Sequence, residues 1–185
     1  MILYIHGFNS SAQSGKAREM AVWMAERGLG EAFACPDLPD SPTAAIRLLD
    51  GLLAESRGRA KLVGSSLGGF YATWLAEKHG LPAVLINPCV GCNVKLRDQV
   101  GTTQKNWHSG REWLFTAAHA DELDALAVPA VTRPERYWLL AETGDAVLDY
   151  REAVDYYAGA RQDVLEGGDH GFTRFQEYLP AILAF

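Results

Sequence analysis

A chain of 185 residues, 48% hydrophobic and 22% charged, has the makeup of a single globular domain with one buried core. Its net charge of -6 lacks the basic footprint of a nucleic-acid binder, and no apolar run is long enough to cross a bilayer. The opening residues carry neither the basic segment nor the long apolar stretch of a signal peptide, so no membrane partner and a cytoplasmic location are expected.

Strand and helix signals alternate along the chain. Residues 1–5 read as a buried strand stopped by His6-Gly7. A loop rich in Ser, Asn and Gly follows, and then Ala17, Met20, Ala21 and Met24 recur at helical spacing. Residues 32–35 form a short strand. Ser41 followed by Pro42 is a helix start, with Ile46, Leu49 and Leu53 as the apolar stripe. A strand at 61–64, a helix at 67–79 and a strand at 83–86 come next. The strand at 136–141 precedes a helix capped by Asp149, with Glu152 as the acidic partner of a capping box. The last strand is 162–165 and the last helix 173–183. This order predicts an α/β fold, a three-layer αβα sandwich with a mostly parallel sheet of about six strands. The segment at about 90–134 breaks the alternation. It carries Trp107, His108, Trp113, Phe115 and His119, with a short helix expected at 121–126, and reads as a lid-like insertion into a single domain spanning 1–185.

Gly64-Ser65-Ser66-Leu67-Gly68 matches the G-x-S-x-G pattern of a nucleophile elbow, with strand before it and helix after it. A serine hydroxyl needs a base to take its proton and an acid to orient that base. Asp145 follows the strand at 136–141, and His170, between Gly168 and Gly171, follows the strand at 162–165. All three candidates, Ser66, Asp145 and His170, fall at carboxyl ends of strands, the edge where open parallel sheets place their sites. Glu142 is read as still in the strand and Asp149 as a cap. The backbone N–H groups of Leu67 and Phe8 are the candidate oxyanion donors. His6, Gly7, Asn9, Trp107 and His108 are the candidate substrate contacts. Cys35, Cys89 and Cys92 are an odd number, and Cys89-Val90-Gly91-Cys92 has no second pair to complete a zinc site. No metal or cofactor is called for.

The elbow, the opening Met1-Ile2-Leu3-Tyr4-Ile5-His6-Gly7-Phe8-Asn9-Ser10, the Glu142-to-Tyr150 segment, Asn87-Pro88 and Gly168-Asp169-His170-Gly171-Phe172 together resemble the small bacterial YqiA-type esterases of the α/β-hydrolase superfamily. The resemblance implies a trimmed α/β-hydrolase fold whose sheet begins at the strand bearing the oxyanion turn. It also implies a triad on Ser66, Asp145 and His170, and hydrolysis of small-molecule carboxylic esters or acyl thioesters. The expected reaction is a serine esterase passing through an acyl-enzyme. An acyl-CoA thioesterase with the same triad, or a non-catalytic ligand-binding protein on the same fold, are the alternatives. The Cys89–Cys92 stretch and the segment after it depart from the family pattern.

Overall fold

The computed structural model describes residues 1–56 and 58–185. Six parallel strands form its sheet: β1 (Ile2–Ile5), β2 (Phe33–Ala34), β3 (Lys61–Ser65), β4 (Ala83–Ile86), β7 (Tyr137–Glu142) and β8 (Arg161–Leu165), in the order β2-β1-β3-β4-β7-β8. A second, two-stranded antiparallel sheet pairs β5 (Thr103–Lys105) with β6 (Glu112–Leu114). The expectation of about six strands in a parallel sheet is met. The strand at 32–35 shrinks to two residues at one edge of the sheet, Ala32 closing a 3-10 turn before it.

Period-two alternation divides the core between the two faces of the sheet. Ile2, Tyr4, Val63, Val84, Ile86, Trp138 and Leu140 pack beneath α1 (Gly15–Ala25) and α7 (Phe175–Ala184). Leu3, Ile5, Leu62, Leu85, Leu139 and Ala141 pack beneath α2 (Pro42–Glu55), α3 (Leu67–His79), α5 (Ala117–Asp124) and α6 (Tyr150–Tyr156). The strand order reverses at β1, so α1 and α2 leave toward opposite faces. The loops after β1 and β3 flank that reversal, and the register Ile5↔Gly64 and Ser65↔Ile86 keeps their strand ends level.

Local chemistry sets the helix ends. Ser41 caps α2, its Oγ accepting from Ala44 N–H at 3.2 Å, as expected. Asp149 caps α6, but Glu152 makes no capping box; its carboxylate pairs with Lys95 at 2.7 Å instead. In the 90–134 segment, α4 (Cys92–Lys95) and a 3-10 turn lead into the β5–β6 hairpin, and the short helix starts at Ala117, earlier than its apolar pattern suggested. The hairpin was not anticipated, since three-residue strands of largely exposed residues leave no periodicity to read.

Where α3 crosses β1 and β3 the backbones meet with no room for side chains. A Cβ on Gly68 would overlap the carbonyl of Ile5, and a Cβ on Gly64 would overlap the backbone of Gly68 and meet Ala72 Cβ at 2.8 Å. Gly68→Ala is therefore expected to push α3 off the sheet and cost about 3 kcal/mol, read as a lowered urea midpoint.

Candidate active site

Ser66 stands between β3 and α3 with φ 55 and ψ -121, a conformation that a non-glycine residue adopts only under constraint. The constraint is visible. Ser66 N–H extends the ladder to Ile86 O at 3.1 Å, and its carbonyl accepts from both Gly69 N–H (2.9 Å) and Cys89 N–H (3.0 Å). The side chain is left half-buried beside Gly7, where an added Cβ would lie 3.2 Å from Ser66 Cβ. Cys89 and Cys92 pack into the core as free thiols, and burial pushes the Cys92 thiol well up. Among the described residues no group of three or more His, Cys, Asp or Glu is arranged to hold a metal ion.

Asp145 and His170 meet across the ends of β7 and β8. The imidazole Nδ1–H donates to Asp145 Oδ2 at 2.7 Å, and Asp145 Oδ1 accepts from Val147 N–H (2.8 Å) and Leu148 N–H (2.9 Å). The Asp145 side chain is only 2% exposed, the imidazole 27%. With Nδ1 committed to a carboxylate, the lone pair belongs to Nε2. Ser66 and His170 line the same cavity of about 330 Å³. Among the described residues neither Leu67 N–H nor Phe8 N–H donates to a protein acceptor.

Three of the candidate substrate contacts have structural duties. His6 is buried; its Nδ1–H donates to Gly7 O at 3.0 Å, and its Nε2 accepts from Leu38 N–H at 3.1 Å. Burial lowers its pKa and favours this neutral ring, against the opposing pull of the Gly7 carbonyl and Asp37. Gly7 supplies clearance for Ser66. Asn9, at φ 56, spends its side chain on Gln104 (2.9 Å) and Trp113 Nε1–H (3.0 Å), which pins the loop after β1 to the hairpin. Trp107 N–H donates to Asn9 O at 2.9 Å and Asn106 Nδ2 to Ser10 O at 2.7 Å, so the hairpin holds that loop at four points. Trp107 (74% exposed) and His108 line the cavity mouth. His119 is half-buried: its Nδ1 accepts from Thr116 N–H at 3.0 Å, and its ring packs against Trp113 and Phe115.

The sequence reading missed what holds the His170 loop. Asn87, buried and at φ 39, donates from Nδ2 to Asp169 O (3.0 Å) and His170 O (3.1 Å) while its Oδ1 accepts from Glu142 N–H (3.0 Å). Glu142 is fully buried. Its Oε2 accepts from Asp169 N–H and Thr173 N–H, and its Oε1 from the Thr173 hydroxyl, all at 2.9 Å. Gly168, at φ +69, gives this carboxylate room that no side chain could leave. The available signal was a lone acid ending the apolar run Tyr137-Trp138-Leu139-Leu140-Ala141. Lys16 was also missed. Its Nζ donates to Gly171 O at 2.6 Å, and burial lowers its pKa against the opposing pull of Glu19, Asp169, Glu142 and Asp145.

A model of the uncharacterised protein family UPF0227, the YqiA family, matches residues 1–185, and the chain belongs to that family. Its fold is similar to that of alpha/beta hydrolase domain-containing protein 10 from mouse (19% identity, TM-score 0.73, covering 99% of this chain and 87% of that one). It is also similar to tomato methylketone synthase I (12%, 0.73, 99% and 95%) and to the monoacylglycerol lipase of Paleococcus ferrophilus (16%, 0.69, 99% and 92%). The fold is thus a trimmed α/β-hydrolase fold. No helix among the described residues is long and apolar enough to cross a membrane.

Burial pushes the Glu142 carboxyl up, but the Thr173 and Asp169 N–H groups, the Thr173 hydroxyl and Arg174 outweigh it and hold the pKa below the ordinary glutamate value. A depressed carboxyl stabilises the fold above its ordinary range and loses that contribution as pH falls through the depressed value. Glu142→Gln is expected to lower stability by about 3 kcal/mol at pH 7. Urea melts at falling pH should show wild type converging on the variant in the acid range.

Proposed function

We propose that this member of UPF0227 is a serine esterase that hydrolyses small carboxylic esters through an acyl-enzyme. One observation carries the reading: His170, bonded to the buried Asp145 at 2.7 Å, lines the same cavity as Ser66 in its strained elbow. In the proposed cycle His170 Nε2 removes the Ser66 proton as Oγ attacks the ester carbonyl. Asp145 keeps the imidazole in the right tautomer and stabilises its cation. The N–H groups of Leu67 and Phe8 receive the oxyanion, preorganised by α3 and by the hairpin-braced loop after β1. Collapse of the intermediate passes the proton from His170 to the leaving alcohol. Water then enters, is activated by His170 and releases the acid.

A second, smaller cavity lies on the Leu67 and Phe8 side. It is about 40 Å³, lined by Tyr71, Trp113, Phe115 and Leu123 among others. An acyl chain extending past the oxyanion donors meets this small space, which Asn9, Asp40 and Asn106 also line, so its size favours short acyl groups over the long chains of a fatty acyl thioesterase.

Ser66→Ala is expected to lower kcat on p-nitrophenyl acetate by at least about 10³, and Asp145→Asn by about 10⁴, with unfolding midpoints near wild type. A fluorophosphonate probe should label wild type and not Ser66→Ala; no labelling of wild type would end the hydrolase reading in favour of a ligand-binding protein. Across p-nitrophenyl esters, kcat/KM should be highest for acetyl and propionyl and fall at least about tenfold by octanoyl. Acyl-CoA thioesters of graded length, run beside them, test the thioesterase alternative.

A further inference from the structure

The cavity shared by Ser66 and His170 is lined by no carboxylate, although the chain carries 23 acidic residues and a net charge of -6. Its one lysine or arginine is Lys16, joined by the imidazoles of His6, His108 and His170. Lys16 Nζ donates to a carbonyl, Gly171 O, rather than to a carboxylate. The ammonium has three protons to give, and this bond uses one. Glu19 and Asp169 line a neighbouring depression with Lys16 and not the cavity of Ser66.

A second observation lies beside it. Ser14 Oγ is buried and makes no hydrogen bond; among the described residues it is the only buried side-chain oxygen or nitrogen of that kind. Buried hydroxyls are seldom left so. Ser14 occupies the N-cap of α1, where a serine side chain ordinarily bonds a first-turn N–H, yet here it does not. Ser14, Gly15 and Lys16 lie between the Ser66 cavity and the depression that holds Glu19 and Asp169 and line both, at the positive end of an 11-residue helix.

The side of the cavity is informative. Gly171 follows His170, and the general acid must hand its proton to the departing alcohol. A group held by Lys16 therefore sits at the leaving-group end, away from the small cavity behind Leu67 and Phe8.

We propose that Lys16, with Ser14, is a specificity-determining anion anchor, and that the preferred substrates are short-chain acyl esters whose alcohol portion bears a carboxylate or a phosphate. This deepens the esterase reading and rests on it. The reaction is unchanged: Ser66 Oγ bonds to the acyl carbon, the ester C–O bond breaks, and the alkoxide takes the proton from His170. The anchor adds binding to the anion and takes no part in bond breaking.

The test compares three esters of nearly equal size: 4-acetoxybenzoate, 4-acetoxyphenyl phosphate and the neutral 4-acetoxybenzamide. The readout is the ratio of kcat/KM for each anion over the amide, because a general loss of active-site order cancels from it. Wild type should favour at least one anion by tenfold or more, and whichever anion leads names the source of the charge. Lys16→Gln should reduce that ratio at least tenfold, Ser14→Ala by a smaller factor, and Lys16→Arg should retain most of it. A ratio near one in wild type, or one unmoved by Lys16→Gln, would overturn the proposal and leave Lys16 a brace for the Gly171 carbonyl. If wild type hydrolyses none of the three, the esterase reading fails separately. Calorimetric titration with 4-hydroxybenzoate and 4-hydroxyphenyl phosphate against 4-hydroxybenzamide then decides the anchor. Anion binding abolished by Lys16→Gln upholds it, and equal or absent binding overturns it.

Discussion

The contact of Gly68 with the Ile5 carbonyl is the constraint on which this molecule turns. It brings the first turn of α3 against the end of β1, closer than any side chain would allow. Because β1 and β3 are neighbours in level register, the same contact sets Gly7 against Ser66. A candidate nucleophile and the loop that would face its oxyanion are thereby held together by backbone alone. The left-handed backbone of Ser66 carries a cost of about 1–3 kcal/mol. Three backbone hydrogen bonds, to Ile86, Gly69 and Cys89, offset it and leave no relaxed alternative.

At the other end of the site the arrangement is polar rather than steric. Three acids gather where β7 and β8 end, and each has a different occupation. Asp145 holds the imidazole, Glu142 holds the backbone on both sides of it, and Asp169 closes a turn onto Gly171 N–H at 2.7 Å. Asn87 completes the assembly from β4 by gripping the carbonyls of Asp169 and His170. A buried carboxylate such as Glu142 is tolerable only because three donors meet it; an apolar side chain of the same size would leave those donors unpaired. The histidine loop is in this way tied to the sheet, although it contains three glycines in the stretch from 167 to 171.

The 90–134 segment contributes through its hairpin. Asn9 and Ser10 are bonded to Gln104, Asn106, Trp107 and Trp113, and the ring of Phe8 packs edge-on to Trp113 and Phe115. The 90–134 segment is thus part of the close-fitting wall on the Phe8 side, with Asn106 beside the rings of Trp113 and Phe115, while α1 and its cap supply part of the wall on the His170 side with Lys16 and Ser14. The space beside Leu67 and Phe8 is small and the space beside His170 carries Lys16, so the two sides of Ser66 differ in size and in charge.

Much of this was legible in the linear chain. Apolar runs of four to six residues, punctuated by Gly, Pro and Asn, mark the main strands, and the G-x-S-x-G turn with an acid and a histidine after later strands marks the edge where Ser66, Asp145 and His170 fall. Those signals are local, set by backbone sterics and by the burial of both faces of a parallel sheet. The β5–β6 hairpin was not legible, because its strands are short and exposed and owe their pairing to Asn9 and to the aromatic cluster. Nor were the duties of Glu142, Asn87, Asn9 and Lys16. Each joins positions 55 to 155 residues apart, or closes on a loop that exists only once the strands have paired. The sequence by itself determined the order of the strands of the main sheet and which residue types stand at their ends. Only the tertiary structure decided which of those polar groups hold the loops and which face the cavity, because a polar side chain's role depends on partners that folding alone brings within hydrogen-bond reach.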